Sequence, residues 1–315
     1  MRIAASSCLT EGGRMGKPNE VKDIVEKDFL SFPDIAADVI NTLLYQGRSV
    51  TRADSLLTGP TESFYQGKKR LRNQFEDVCK YEMMNGKINL MYLIANQSRT
   101  DGRMLLRKAG YTGGVYRNQY EHGSQRPFPV IEIVLYWGIP RWRGSRSSRR
   151  LFRKRTISEE AWSYIDEMKL HVFEMRYLPE EMRKLFQSDM RIVADYLAEG
   201  DSYRSDRKIT HKAALIRMIR VLSGDTDTED VEQWMNQQGI GEEDEIKVCE
   251  LFDQYERRGL ARGKEEGIAE GEAKGEALFA SLAQSLIDSG RIGDLKKALS
   301  DQGYRRQLYM EAGLS

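Results

Sequence analysis

Asp77 and the tripeptide Ala95-Asn96-Gln97 are the residues whose types and spacing come closest to a reaction centre. The stretch "INLMYLIANQSRTDGRMLLR" (88–107) reads as an apolar strand that ends abruptly in amides and charge. A strand that delivers oxygen ligands to the end of a buried sheet can hold a divalent cation. An Asp on one strand beside an acid-x-Gln pair on the next is such a set: the acids hold Mg²⁺, and the amide positions the attacking water. Here the acid of that pair is replaced by Ala95.

Asn85-Gly86 is a strong hairpin signal, so "NQFEDVCKYEMMNGKINLMYLIANQ" reads as two antiparallel strands. A three-residue turn brings Asp77 level with Ala95, and Gln97 then shares that face. A two-residue turn sets Asp77 against Ile94 instead, because a one-residue slip moves every side chain to the other face.

The elements needed to position these residues are legible around them. "FPDIAADVINTLLYQG" carries Ile35, Val39, Ile40, Leu43 and Leu44 at helical spacing, started by Pro33-Asp34 and stopped by Gly47. "MLLRKAGYTGGVYRNQYEH" has helical character interrupted by glycines, and "FPVIEIVLYWG" is a buried strand between Pro129 and Gly138. Helix, hairpin, helix and strand around one mixed sheet make an α/β core. From residue 158 to about 257 the pattern is helical, with no convincing strand.

Composition excludes several classes. The 315 residues carry 49 basic and 48 acidic side chains, a net charge of +1, so no global field recruits nucleic acid or a membrane. The apolar run "VIEIVLYWGI" is broken by Glu132 and is too short to cross a bilayer. The N-terminus has no apolar core of a secretory signal, and residues 1–14 read as a leader or as upstream of a start at Met15. Cys8, Cys79 and Cys249 are few and far apart, which excludes a disulfide framework and suits a reducing, cytoplasmic setting. His122, His171 and His211 have no ligand-like spacing, and P-loop, GxGxxG, GxSxG and HExxH motifs are absent.

Two segments stand out beyond the core. "RWRGSRSSRRLFRKR" (141–155) holds eight Lys or Arg and no acid. It reads as a mobile segment in which Arg141, Arg143, Arg146, Arg149 and Arg150 track a phosphate backbone, or as a solvated loop. "GLARGKEEGIAEGEAKGEA" has glycine at 259, 263, 267, 271 and 275. A period of four forms a slowly winding stripe on a helix, each interior glycine costing about 1 kcal/mol relative to alanine. It is a solvated helix, a helix packed closely on a partner, or a flexible charged linker.

The ordered strings "FPDIAADVINTLLYQG", "FEDVCKY", "INLMYLIANQ", "MLLRKAGYTGGVYRNQ" and "FPVIEIVLYWG", followed by a glycine-every-four tract, resemble the recombination-promoting nuclease (Rpn) family. These are transposase-like proteins with a PD-(D/E)XK nuclease domain, and the similarity covers roughly residues 20–142 and 257–300. It implies a restriction-endonuclease-like α/β fold, Mg²⁺ as cofactor, DNA as partner and a helical C-terminal region. Asp77 matches the family's first catalytic Asp, although its usual Arg-Asp reads Glu76-Asp77 here. The family's Glu-Asn-Gln becomes Ala95-Asn96-Gln97, which loses the acid and keeps Gln97. Asp38 and Asn41 match the polar pair of the first helix, with Asp38 a further oxygen ligand. Arg107, Tyr111, Tyr116 and Gln119 match the helix after the active strand; of these Arg107, Tyr116 and Gln119 would line the cleft. The family's Tyr-Asp reads Tyr111-Thr112, a second acid lost.

The expected organisation is a disordered leader (1–20), a nuclease-like domain (21–142), a basic linker (143–157), a helical region (158–256) and a glycine-repeat tail (257–315). The expected activity is metal-dependent DNA cleavage weakened by Ala95. The alternative is a catalytically inactive DNA-binding protein, or a scaffold that self-associates through its C-terminal region.

Overall fold

The apolar spacing that begins at Pro33 forms the helix it predicts. In the computed structural model, which describes residues 18–59, 78–123, 126–224, 231–241, 244 and 247–314, helix α2 runs Pro33–Tyr45 after α1, Pro18–Ser31. Pro33 takes the first-turn position where its missing N–H costs nothing, and Ile35, Val39 and Ile40 are fully buried. Gln46 and Gly47 both turn left-handed, and the Gly47 N–H closes on Asn41 O at 2.9 Å.

The sheet has five strands in chain order. β1 (Leu56–Thr58), β2 (Val78–Met84) and β3 (Lys87–Gln97) are antiparallel, whereas β4 (Val130–Tyr136) lies parallel to β3. Helix α3 (Met104–Glu121) is the crossover from β3 to β4. It runs unbroken through Gly110, Gly113 and Gly114, where an added Cβ would meet no other atom within 4 Å.

The hairpin closes by the shorter of the two turns, with a bulge beside it. Asn85 and Gly86 both have positive φ (50° and 70°), and Met84 pairs with Lys87, so the turn has two residues. A bulge follows: Met83 pairs with Ile88 but Glu82 with Leu90, leaving Asn89 as the extra residue. The bulge restores the register that a three-residue turn would have given, and pairing runs on to Val78↔Ile94. Asp77 and Glu76 lie outside the described residues.

The stretch read as wholly helical contains a strand. After α4 (Ser148–Leu151) and α5 (Glu159–Trp162), β5 (His171–Glu174) joins β4 in parallel. α6 (Glu180–Arg183), α7 (Met190–Glu199), α8 (Lys212–Ser223) and α9 (Val231–Gln237) follow. α8 packs on α1, and α7 on α2. The described helices and strands up to Val248 form one unit.

Residues 249–315 form a second unit. α10 (Val248–Asp288) is a continuous helix through the glycine repeat, followed by α11 (Ile292–Ser300) and α12 (Gln302–Glu311). Leu282 and Leu286 pack with Ala298 and Leu308. Gly267, Gly271 and Gly275 face open space, and among the described residues nothing shows a partner for that stripe. Among the described residues no helix is long and apolar enough to cross a membrane.

Candidate nuclease site at the end of β3

Alternation along β3 sends its side chains to two different layers. Tyr92 faces the α1/α2 layer, where its hydroxyl meets those of Tyr45 (3.1 Å) and Thr51 (3.0 Å). Leu93, Ala95 and Gln97 therefore face the other layer, under α3. Ala95 is completely buried there, in an apolar cluster with Met104, Leu105, Val134, Tyr136 and Trp142. Gln97 lies at the half-exposed end of the strand, its backbone carbonyl accepting from Trp137 N–H at 2.8 Å.

Parallel pairing continues this face onto β4. Leu93 pairs with Glu132, Ala95 with Val134 and Gln97 with Tyr136. Glu132 is 2 % exposed, and both of its carboxylate oxygens are sealed from solvent. On β2, Cys79 pairs with Leu93 and is buried, which pushes its thiol up to about 12 and leaves it inert as a nucleophile.

The residues expected to line the cleft from α3 are built into the fold. Gln119 is buried and clamps Phe128 from both sides, accepting from its N–H (2.8 Å) and donating to its carbonyl (3.1 Å). Tyr116 accepts from Val130 N–H through its hydroxyl at 3.2 Å. Both hold the lead-in to β4. Arg107 donates to the Tyr111 hydroxyl (3.0 Å) and pairs with Asp101 (3.4 Å), while Tyr111 packs against Cys79, Met91 and Leu93.

Asp38 belongs to the opposite layer. Its Oδ2 accepts from Gln187 N–H (2.9 Å), Ser188 N–H (2.8 Å) and Ser188 Oγ (2.7 Å), which ties α2 to the approach of α7. The sheet stands between Asp38 and Gln97, so the structure does not bring these two together. Asp38→Ala removes a charged acceptor from these donors and is expected to lower unfolding free energy by about 1–3 kcal/mol, read by urea denaturation. An unchanged midpoint would count against this role.

The basic segment is an ordered border of the sheet rather than a mobile linker. Trp142 sits edge-on to Tyr136 (centroids 5.2 Å apart), and its Nε1 donates to Gly144 O at 3.0 Å. A Cβ on Gly144 would lie 2.8 Å from the Trp142 ring, so the close fold-back requires glycine. Leu170 N–H donates to Arg146 O (2.8 Å) and Ser148 N–H to Met168 O (3.0 Å), binding the segment to the lead-in of β5. Arg141 and Arg146 pair with Glu174, and Arg149 pairs with Glu159 while stacking over Trp162. Arg143, Arg150, Arg153, Lys154 and Arg155 are exposed, with no ion pair among the described residues.

On the α1 side a cleft of ≈ 320 Å³ includes Lys22, Asp23, Glu26, Asn96, Ser98 and Arg99 in its lining. Asn96 accepts from Trp137 Nε1 at 3.0 Å, which fixes its amide orientation. Glu26 is 2 % exposed, and burial raises its carboxyl to about 8. Nothing in the sequence marks Glu26 beyond its being an acid on the inward face of α1.

Residues 21–219 match the family model described as "Putative transposase, YhgA-like". The chain belongs to this family. No significant match was found among curated proteins or among solved structures. The family's span covers all five strands and the basic border, and so reaches past residue 142, where the nuclease-domain part of the Rpn resemblance ends.

Proposed function

We propose that this YhgA-like transposase binds DNA along its arginine border and hydrolyses phosphodiester bonds at the end of β3 with a divalent cation. The observation that carries the reading is Trp142: it is buried in the same cluster as Ala95, which seats an arginine-rich segment beside the strand that carries Gln97. Net charge near zero makes such a local concentration of cations informative about where a polyanion docks.

Asp77 and Gln97 offer a carboxylate and an amide oxygen of the hard type a divalent cation takes, a set short of the acid that Ala95 replaces. Among the described residues no group of three or more His, Cys, Asp or Glu could hold a metal ion. Mg²⁺ bound there would polarise water and the scissile phosphate. Gln97, at the mouth of the site, orients water, and the exposed arginines fix the phosphate backbone. Their role needs no base readout, because phosphate contacts position without specifying sequence.

The test is nicking of supercoiled plasmid by the full chain with Mg²⁺ or Mn²⁺. EDTA abolishes it, and Asp77→Asn lowers it by roughly 100-fold or more, the scale of a lost metal site. Nicking that survives Asp77→Asn overturns the assignment. Replacing Arg143, Arg150 and Arg153 by alanine lowers the slope of log affinity against log salt by up to about 3, since each phosphate that an arginine neutralises releases roughly one counterion. A slope unchanged by the triple variant removes the border from the interface. One observation favours a second reading: the position expected to hold an acid is a fully buried methyl group in an apolar cluster. Salt-sensitive DNA binding with no nicking by the wild type would select that non-catalytic DNA-binding protein.

A further inference from the structure

We propose that the cleft between α1 and the end of β3 takes one unpaired nucleotide of a DNA strand, with the base edge on Glu26 and Asn96 and the phosphate on Arg99. The choice of a nucleotide rests on the DNA-binding reading above; the cleft itself does not. β3, β4 and β5 run parallel, and the cleft lies at the carboxyl end of β3, where open α/β sheets place their ligands. Its volume of ≈ 320 Å³ is that of a small-molecule site.

Two unspent hydrogen-bonding groups belong to its lining. Asn96 is 8 % exposed, and its Oδ1 accepts from Trp137 Nε1. That bond turns Nδ2 the other way, as a buried donor with no hydrogen-bond partner among the described residues. Glu26 Oε1 is in the same condition, because Lys22 Nζ stands 3.8 Å away, beyond hydrogen-bond reach. The neighbouring acid, Asp23, is already engaged by Lys27. Buried polar groups without partners are costly and few, so two in the lining of one cleft point to a ligand that satisfies them.

The two walls differ in chemistry. Burial holds the Glu26 carboxyl up to about 8, so at pH 7 the α1 wall presents one O–H beside one C=O. The β3 wall presents the Asn96 N–H, the Ser98 hydroxyl and the exposed Arg99 guanidinium. A pyrimidine edge complements that set: cytosine gives N4–H to the carboxyl C=O, takes the O–H at N3 and accepts from Asn96 at O2. Enzymes that draw a base out of the stack read its pairing edge in the same way. Arg99 and Ser98 are left to hold the phosphate.

The experiment titrates the full chain at pH 7 in EDTA, by calorimetry, with deoxycytidine monophosphate, deoxyribose 5-phosphate and a single-stranded oligodeoxycytidine. Deoxycytidine monophosphate should bind at least about tenfold more tightly than the sugar phosphate, and the oligonucleotide more tightly still. Glu26→Leu should lose about tenfold or more in affinity, whereas Glu26→Gln stays within about threefold, because an amide also offers one donor beside one acceptor. Arg99→Ala, at an exposed position, should weaken the nucleotide and the sugar phosphate alike. A wild type that binds neither nucleotide nor oligonucleotide overturns the inference. So does a sugar phosphate bound as well as the nucleotide, affinity unchanged in Glu26→Leu or in Arg99→Ala, or a loss in Glu26→Gln equal to that in Glu26→Leu. A mononucleotide bound as tightly as the oligonucleotide overturns the strand and assigns the same chemistry to a free nucleotide. Duplex binding separates this inference from the reading above: a salt slope set by Arg143, Arg150 and Arg153, with no nucleotide bound in the cleft, leaves the border standing and removes the cleft.

Discussion

Ala95→Glu is expected to raise metal-dependent plasmid nicking by about 10-fold or more while making the protein less stable. The two effects share one cause. Ala95 is fully buried among Met104, Leu105, Val134, Tyr136 and Trp142, so a longer acidic side chain must displace packed atoms and bury a charge. Overpacking and incomplete solvation together cost about 3 kcal/mol, which lowers the melting temperature by roughly 6–12 °C in a unit of this size. A bound divalent cation offsets part of that cost by linkage, so Mn²⁺ should raise the melting temperature of the variant more than that of the wild type. Ala95→Leu is the control: it overfills the same space, destabilises without gaining nicking, and shows no added response to Mn²⁺. Unchanged nicking in Ala95→Glu, in a wild type that already cuts, would show that position 95 is not part of the site.

The parts of this fold that were legible are those fixed by local chemistry. Pro33 and Gly47 bracket α2 because one residue lacks an N–H and the other tolerates left-handed backbone. Asn85-Gly86 marks the hairpin for the same reason. The bulge at Asn89 was not legible, since it answers to the packing of one sheet face rather than to any local propensity. β5 escaped because four residues, "HVFE", carry too little periodicity; only the edge of β4 makes them a strand. The arginine run looked mobile because its anchor, Trp142, acts through contacts distant in sequence. Gln119 and Asp38 show the limit most directly. A polar side chain that clamps a backbone and one that clamps a phosphate look alike in sequence, and here both hold the fold together.

Wild-type stability is expected to fall as pH rises from 5 to 8, and Glu26→Gln is expected to flatten most of that decline. Glu26 is held at about 8 against an ordinary 4.5, chiefly because burial disfavours its charged form; Lys22, at 3.8 Å, opposes this and Asp23 adds to it. Between those two values the folded protein keeps a proton that the unfolded chain has released. Stability therefore drops with rising pH, by up to about 1.4 kcal/mol per unit, and the drop ends once the folded carboxyl also ionises near 8. Burial likewise raises Asp189 above the usual carboxylate range, so it adds a decline of the same sign that Glu26→Gln leaves intact. Lys22 is shifted downward by burial, and its effect lies on the alkaline side, where it favours the folded state as pH climbs. The variant-minus-wild-type difference isolates Glu26: near zero at pH 5, and roughly 3–5 kcal/mol in favour of the glutamine variant at pH 8. Urea titrations at pH 5, 6, 7 and 8 measure it, and parallel curves for the two proteins would show that Glu26 ionises normally inside the fold.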